Sequence, residues 1–126
     1  MDPKTLRYAK THEWAHLDGD LCTVGLTQFA VEQLTDVIYV DLPDLGDPAM
    51  LGESFGEIES VKAVSDLFAP VDGEVVETNA ALTGQPELVN SEPYHGGWLV
   101  RLRLADASQL DELLDPAAYD ALIAAG

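Results

Sequence analysis

Positive charge is what this chain most lacks: six Lys and Arg face 23 Asp and Glu, for a net charge of −17. That balance excludes nucleic-acid binding, because neutralising phosphates takes clustered lysine and arginine. It leaves basic protein partners open, since an acidic face steers such encounters. Cysteine is almost missing too. With Cys22 alone, no intrachain disulfide can form and the mark of an oxidising compartment is absent. Within the alternating stretch Asp20-Leu21-Cys22-Thr23-Val24-Gly25 the thiol reads as a small buried apolar group. No apolar run approaches the roughly 18 residues of a membrane span, and Met1-Asp2-Pro3-Lys4 lacks the apolar stretch of an export signal. Neither membrane insertion nor export is expected.

What is present suffices for one core. The 126 residues are 47% hydrophobic, which predicts a single domain over residues 1–126. Turn signals at Asp18-Gly19-Asp20, Pro43-Asp44-Leu45-Gly46, Leu51-Gly52-Glu53 and Val71-Asp72-Gly73-Glu74 separate short alternating segments, the spacing of a mainly β sandwich or barrel. Thr27 is placed to cap a short helix over Gln28 to Leu34, with Phe29, Val31 and Leu34 inward. A helical turn is expected in Pro86-Glu87-Leu88-Val89-Asn90. The tail has a different character: Gln109 to Leu114 and Pro116 to Ala125 have helical spacing, and Asp115-Pro116 is a helix start. Leu110, Leu113, Leu114, Tyr119 and Leu122 are expected to pack on the β core, making residues 108–125 a helical lid.

Five of the six cations lie in two clusters, Lys4, Arg7 and Lys10 near the start and Arg101 and Arg103 near the end. Lys62 stands alone between them. Isolation by itself leaves the ordinary reading, an exposed lysine, in front. The local pattern adds to it. Phe55, Glu57 and Glu59 alternate with Gly56, Ile58 and Ser60 as in a strand, and a second strand leaves through Val64, Asp66 and Phe68. Val61-Lys62 then forms a tight hairpin tip, reachable yet held by the ladder. An enzyme that must tell one lysine from Lys4 and Lys10 needs both properties.

The run Glu59-Ser60-Val61-Lys62-Ala63, continued by Ser65-Asp66, Ala69-Pro70, Gly73-Glu74-Val75 and Asn79, resembles the H-protein family of the glycine cleavage system. Thr11-His12-Glu13-Trp14, Pro86-Glu87-Leu88-Val89-Asn90, Pro93-Tyr94 and Gly97-Trp98-Leu99 follow the family's pattern in order, so the resemblance covers roughly Leu6 to Ala124. It implies a barrel-sandwich hybrid with short helices, and lipoate in amide linkage on Lys62, recognised within Glu59, Ser60, Val61 and Ala63 by a lipoate ligase or octanoyltransferase. Acylation would remove the lysine charge and give an arm of roughly 14 Å, whose strained dithiolane opens readily. The resemblance further implies a non-catalytic carrier. Glycine decarboxylase would load an aminomethyl group on it, aminomethyltransferase would pass the carbon to tetrahydrofolate, and dihydrolipoamide dehydrogenase would reoxidise the dithiol. Thr11, Glu13 and Asp66 match the cleft that receives the loaded arm, where carboxylates suit a protonated amine. A lipoate-relay protein, donating lipoyl groups to other domains, is the alternative built on the same lysine.

Two positions depart from the family pattern. Gln33 stands where some members have histidine, and Thr35 where glycine is usual, both of which bear on the cleft. Biotinyl domains flank their lysine with methionine, and lipoyl domains of 2-oxo acid dehydrogenases usually place aspartate before it; Val61 and Ala63 match neither. His12 and His16 would share a helix face, but the segment around Trp14 reads as strand and His95 is remote, so no metal site is predicted. A monomer is expected, in the bacterial cytoplasm, or in the mitochondrial matrix only for a processed eukaryotic chain.

Overall fold

Alternation in the sequence becomes two antiparallel sheets around one core in the computed structural model, which describes residues 2–125. The strands are β1 (Arg7–Tyr8), β2 (Glu13–Asp18), β3 (Leu21–Leu26), β4 (Val37–Asp41), β5 (Pro48–Ala49), β6 (Ser54–Ser60), β7 (Val64–Phe68), β8 (Gly73–Thr78) and β9 (Val100–Arg103). Six of them form a sheet in the order β1-β2-β3-β9-β8-β5; the other three form a sheet in the order β4-β6-β7. Val24, Val75 and Leu102 from the first sheet meet Val40, Ile58 and Leu67 from the second in a shared apolar core. Cys22 lies fully buried in it, its thiol pushed up to about 12 by burial.

The short helices form where the sequence signals them. Helix α1 (Gln28–Leu34) starts at Thr27, whose side chain accepts a hydrogen bond from the Ala30 amide. Two single-turn helices follow, α2 (Ala81–Gly84) and α3 (Leu88–Ser91). Helix α4 (Pro116–Ala125) starts at Asp115, whose carboxylate accepts from the Ala118 amide at 2.8 Å. The stretch before it, Ala107–Glu112, is a 3-10 helix and not an α turn.

Strand β2 is buried at Glu13, Trp14 and Ala15 in succession because it is covered on both faces. Ala15 enters the shared core, while Trp14 lies in a second cluster with Leu6, Tyr8 and Tyr119. Leu110 joins the shared core, but Leu114, Tyr119 and Leu122 belong to that second cluster, so the tail spans both. The Trp14 indole donates to the Pro93 carbonyl at 3.0 Å. Its ring lies over Gly25, its register partner on β3, where an added Cβ would come within 2.4 Å of the ring. Gly25→Ala is therefore expected to cost about 1–3 kcal/mol by overpacking, measurable as a lowered denaturation midpoint with an unchanged slope.

Two local features depart from strict alternation. A bulge between Val37 and Tyr39 leaves Ile38 and Tyr39 both exposed. A second irregularity, between Ser54 and Gly56, turns Phe55 against the core and away from the exposed face that Glu57 and Glu59 share.

Candidate functional site

Strands β6 and β7 pair Glu57 with Asp66, Ile58 with Ser65 and Glu59 with Val64, which leaves Val61-Lys62 as the tip of a hairpin. Ser60 closes it. Its amide donates to the Ala63 carbonyl at 2.8 Å, and its buried hydroxyl oxygen accepts from the amides of Lys62 and Ala63, both at 3.1 Å. A serine there does what a backbone carbonyl does in an ordinary tight turn. The tip is also anchored from outside, since the Val61 amide donates to the Asp36 carbonyl at 3.0 Å. Asp36 is held in turn by its neighbours: the Asn90 side chain donates to the Thr35 carbonyl at 2.7 Å and accepts from the Val37 amide at 2.9 Å. Lys62 itself is exposed. Among the described residues, the one ion pair is Arg101–Glu77 at 2.7 Å, so the Lys62 ammonium has no carboxylate partner.

Thr35, the α1 C-cap, has φ 63 and ψ −147. A β-branched residue is strained there, and glycine is the residue that region favours. This is the physical content of the family's glycine. Thr35→Gly is expected to raise stability by about 1 kcal/mol, read from equilibrium unfolding, with the Asn90 contact kept because it uses main-chain atoms.

Beside the tip, between α1 and the β6–β7 hairpin, lies a cleft of about 290 Å³. Leu26, Phe29, Ala30, Leu34, Ile58 and Leu67 give it apolar walls, and Lys62 stands at its edge. Of the α1 positions expected inward, Val31 enters the shared core while Phe29 and Leu34 face the cleft. Gln33 is another lining residue. The fold brings Thr11 and Glu13 together: the Thr11 hydroxyl donates to Glu13 Oε1, and the Phe68 amide donates to Oε2 at 3.1 Å. Burial pushes the Glu13 carboxyl up to about 7, against the downward pull of those two hydrogen bonds. Asp66 lines the same cleft but is exposed, with Ser54 Oγ 3.5 Å from its carboxylate and no bond to Glu13. Glu59 lies outside the cleft, on the exposed face between Tyr39 and Val64. A larger hollow of about 490 Å³, lined by Met50, Asp72, Glu74, Arg103 and Leu104 among others, shares no residue with this one.

Asp36 supports the tip through its main-chain carbonyl, and Asn90 through a side chain bonded to the main chain on either side of Asp36; neither role is announced by a local pattern in the sequence. Asn79, another residue of the resemblance, is structural: its amide donates to the carbonyls of Gly96 and Trp98, both at 2.8 Å.

A lone lysine amine on a braced tip, beside an apolar cleft with a buried carboxyl at one end, is the arrangement of a carrier domain, an exposed point of attachment next to a place for what is attached. The comparisons agree. A family model described as "Glycine cleavage H-protein" matches residues 6–125, and the chain belongs to that family. The chain is 54% identical to the glycine cleavage system H protein of Phenylobacterium zucineum over 119 residues, 94% of this chain and 98% of that one. It is 49% identical to the H protein of Bacteroides thetaiotaomicron over 121 residues, 96% of each chain. The crystal structure of a glycine cleavage system H protein from Mycobacterium marinum superposes with a TM-score of 0.89 at 37% identity, covering 98% of this chain and 99% of that one. The resemblance read from the lysine segment and the motifs around it is thus borne out, as is the barrel-sandwich fold. H proteins are lipoyl carriers of the glycine cleavage system, components that do not themselves catalyse.

Proposed function

We propose that Lys62 carries lipoate in amide linkage. The arm would shuttle the aminomethyl intermediate from glycine decarboxylase to aminomethyltransferase, then electrons to dihydrolipoamide dehydrogenase. The observation that carries this reading is an unpaired lysine on a braced tip at the edge of an apolar cleft that also holds a buried carboxyl. The residues fit the group. Aliphatic and aromatic walls suit a hydrocarbon arm, and Thr11, Glu13 and Asp66 suit a cationic amine at its end. When attached, lipoate supplies a strained dithiolane, chemistry that the buried Cys22 thiol does not offer.

The chain's own residues position, hold and shield. Ser60 and Asp36 fix the backbone so that Lys62 reaches a lipoate ligase or octanoyltransferase in one orientation, with Glu59, Val61 and Ala63 exposed around it. With its carboxyl pushed up to about 7, Glu13 is only partly ionised near neutrality when nothing cationic is near; an amine entering the cleft favours the ionised form. The charge that retains the cargo therefore develops as the cargo arrives. Apolar walls limit water at that end, which slows hydrolysis of a labile adduct. The excess of acid favours encounter with basic faces on partner enzymes. A monomer working in the cytoplasm, visiting each enzyme in turn, completes the reading.

Intact and peptide mass spectrometry after co-expression with lipoate and a lipoate ligase tests it. A lipoyl-sized increment mapped to Lys62 is expected, with Lys4 and Lys10 unmodified. No increment under conditions that modify a control lipoyl domain would overturn the proposal.

A further inference from the structure

Helix α4 touches a residue of the cleft lining, His12, through one side chain. The Tyr119 hydroxyl lies 2.7 Å from Thr27 Oγ1 and 2.8 Å from His12 Nδ1. Tyr119 and Thr27 are buried, and the Tyr119 ring stacks on Tyr8 with centroids 4.4 Å apart. His12 and Thr27 are joined a second time by main chain, the Thr27 amide donating to the His12 carbonyl at 3.0 Å. Thr27 Oγ1 accepts from the Ala30 amide and can donate its own proton to the Tyr119 oxygen, the arrangement that leaves the Tyr119 proton for His12 Nδ1.

His12 is where this matters. Its φ of 77 is left-handed, an uncommon conformation that histidine adopts more readily than most non-glycine residues, and here the bonds to Tyr119 and Thr27 accompany it. It lines the cleft, its ring 4.9 Å from that of Phe29, and it sits between Thr11 and Glu13, whose side chains bond to each other. Fixing His12 fixes both.

We propose that the C-terminal helix braces the arm cleft from behind its wall: the Tyr119 hydroxyl relays between Thr27 and His12 and so holds the Thr11–Glu13 end in place, making Tyr119 a positioning residue for the loaded arm. The inference rests on the carrier reading above. It differs from packing alone, because the Tyr8 stack and the second apolar cluster need only the ring and not the oxygen.

Tyr119→Phe removes the oxygen and keeps the ring. His12→Asn cuts the relay from the other side with a residue that tolerates left-handed backbone and is too short to reach Tyr119. Nitrogen-15 NMR of the unlipoylated protein above pH 8 is expected to find the His12 proton on Nε2, and the Nδ1 resonance is expected to shift in Tyr119→Phe toward that of an imidazole without a donor. In the lipoylated carriers, both variants are expected to shorten the hydrolytic half-life of the aminomethyl-loaded arm about fivefold, the worth of one ordinary hydrogen bond. The rate of lipoylation at Lys62 should stay within twofold, since the tip is braced separately through Ser60 and Asp36. A proton found on Nδ1, an unchanged half-life in Tyr119→Phe, or a parallel fall in lipoylation rate would each overturn the inference. Normal lipoylation with an unaltered half-life sinks this proposal alone; a wild-type Lys62 that takes no lipoate sinks the carrier reading and this one with it.

Discussion

Lys62→Arg is expected to yield a protein that folds like its parent, bears no lipoyl group and supports no glycine decarboxylation above the background of an unmodified carrier. The fold is insulated from the change. The side chain is exposed and has no ionic partner among the described residues, and the bonds that shape the tip run through main-chain atoms and Ser60. Stability should therefore move by no more than about 0.5 kcal/mol. The chemistry is not insulated. A lysine ammonium can lose its proton and attack an activated acyl group, whereas a guanidinium stays charged at any accessible pH and presents no nucleophilic lone pair. Charge and reach are nearly conserved, so the variant isolates the amine. Retained decarboxylation in a system reconstituted with the variant would mean that another group carries the intermediate, and would end the Lys62 assignment.

How much of this was legible in the sequence depends on distance along the chain. The hairpin tip was legible because it is local: alternation through Ile58 and Ser60 aims both inward, and the lysine falls at the reversal. The helix starts were legible for the same reason, Thr27 and Asp115 each meeting an amide three residues on. The bulge that exposes both Ile38 and Tyr39 was not, because register is fixed across strands and not along one. Cleft residues Thr11 and Glu13 entered only through the family resemblance, since no local rule marks a glutamate for burial. Least legible were the long-range contacts: Val61 with Asp36, and Tyr119 with His12 across 107 positions. Thr35 is the instructive intermediate. Its departure from the family was visible, but the reason, a positive φ, required the structure.

Glu13→Gln is expected to strengthen the fold above neutrality while weakening the carrier. Burial raises the folded-state pKa from 4.5 to about 7. Between those two values the native state keeps a proton that the unfolded chain has released, so stability falls as pH rises through the window and levels off above about 7. At about 1.4 kcal/mol per unit, the buried carboxylate costs about 3 kcal/mol at pH 8. Glutamine has the same shape, accepts from the Phe68 amide and offers its NH2 to the Thr11 hydroxyl, and it carries no charge to desolvate. The variant should match wild type at about pH 3.5 and below, where Glu13 is protonated both when folded and, for the most part, when unfolded, and exceed it at pH 8 by about 10 °C in melting temperature. Taking the difference between the two pH profiles cancels the other acidic residues. A variant less stable than wild type at pH 8 would show that the two hydrogen bonds outweigh desolvation and that Glu13 is ionised at rest. The functional cost follows from the same charge: an amide cannot ionise beside a protonated amine, so the loaded arm should hydrolyse faster, most clearly at about pH 8 and above, where the wild-type carboxylate is largely ionised. Lower stability in the wild type together with faster hydrolysis in the variant would tie the cost of burying Glu13, one of 23 acidic residues, to the holding of a cationic cargo.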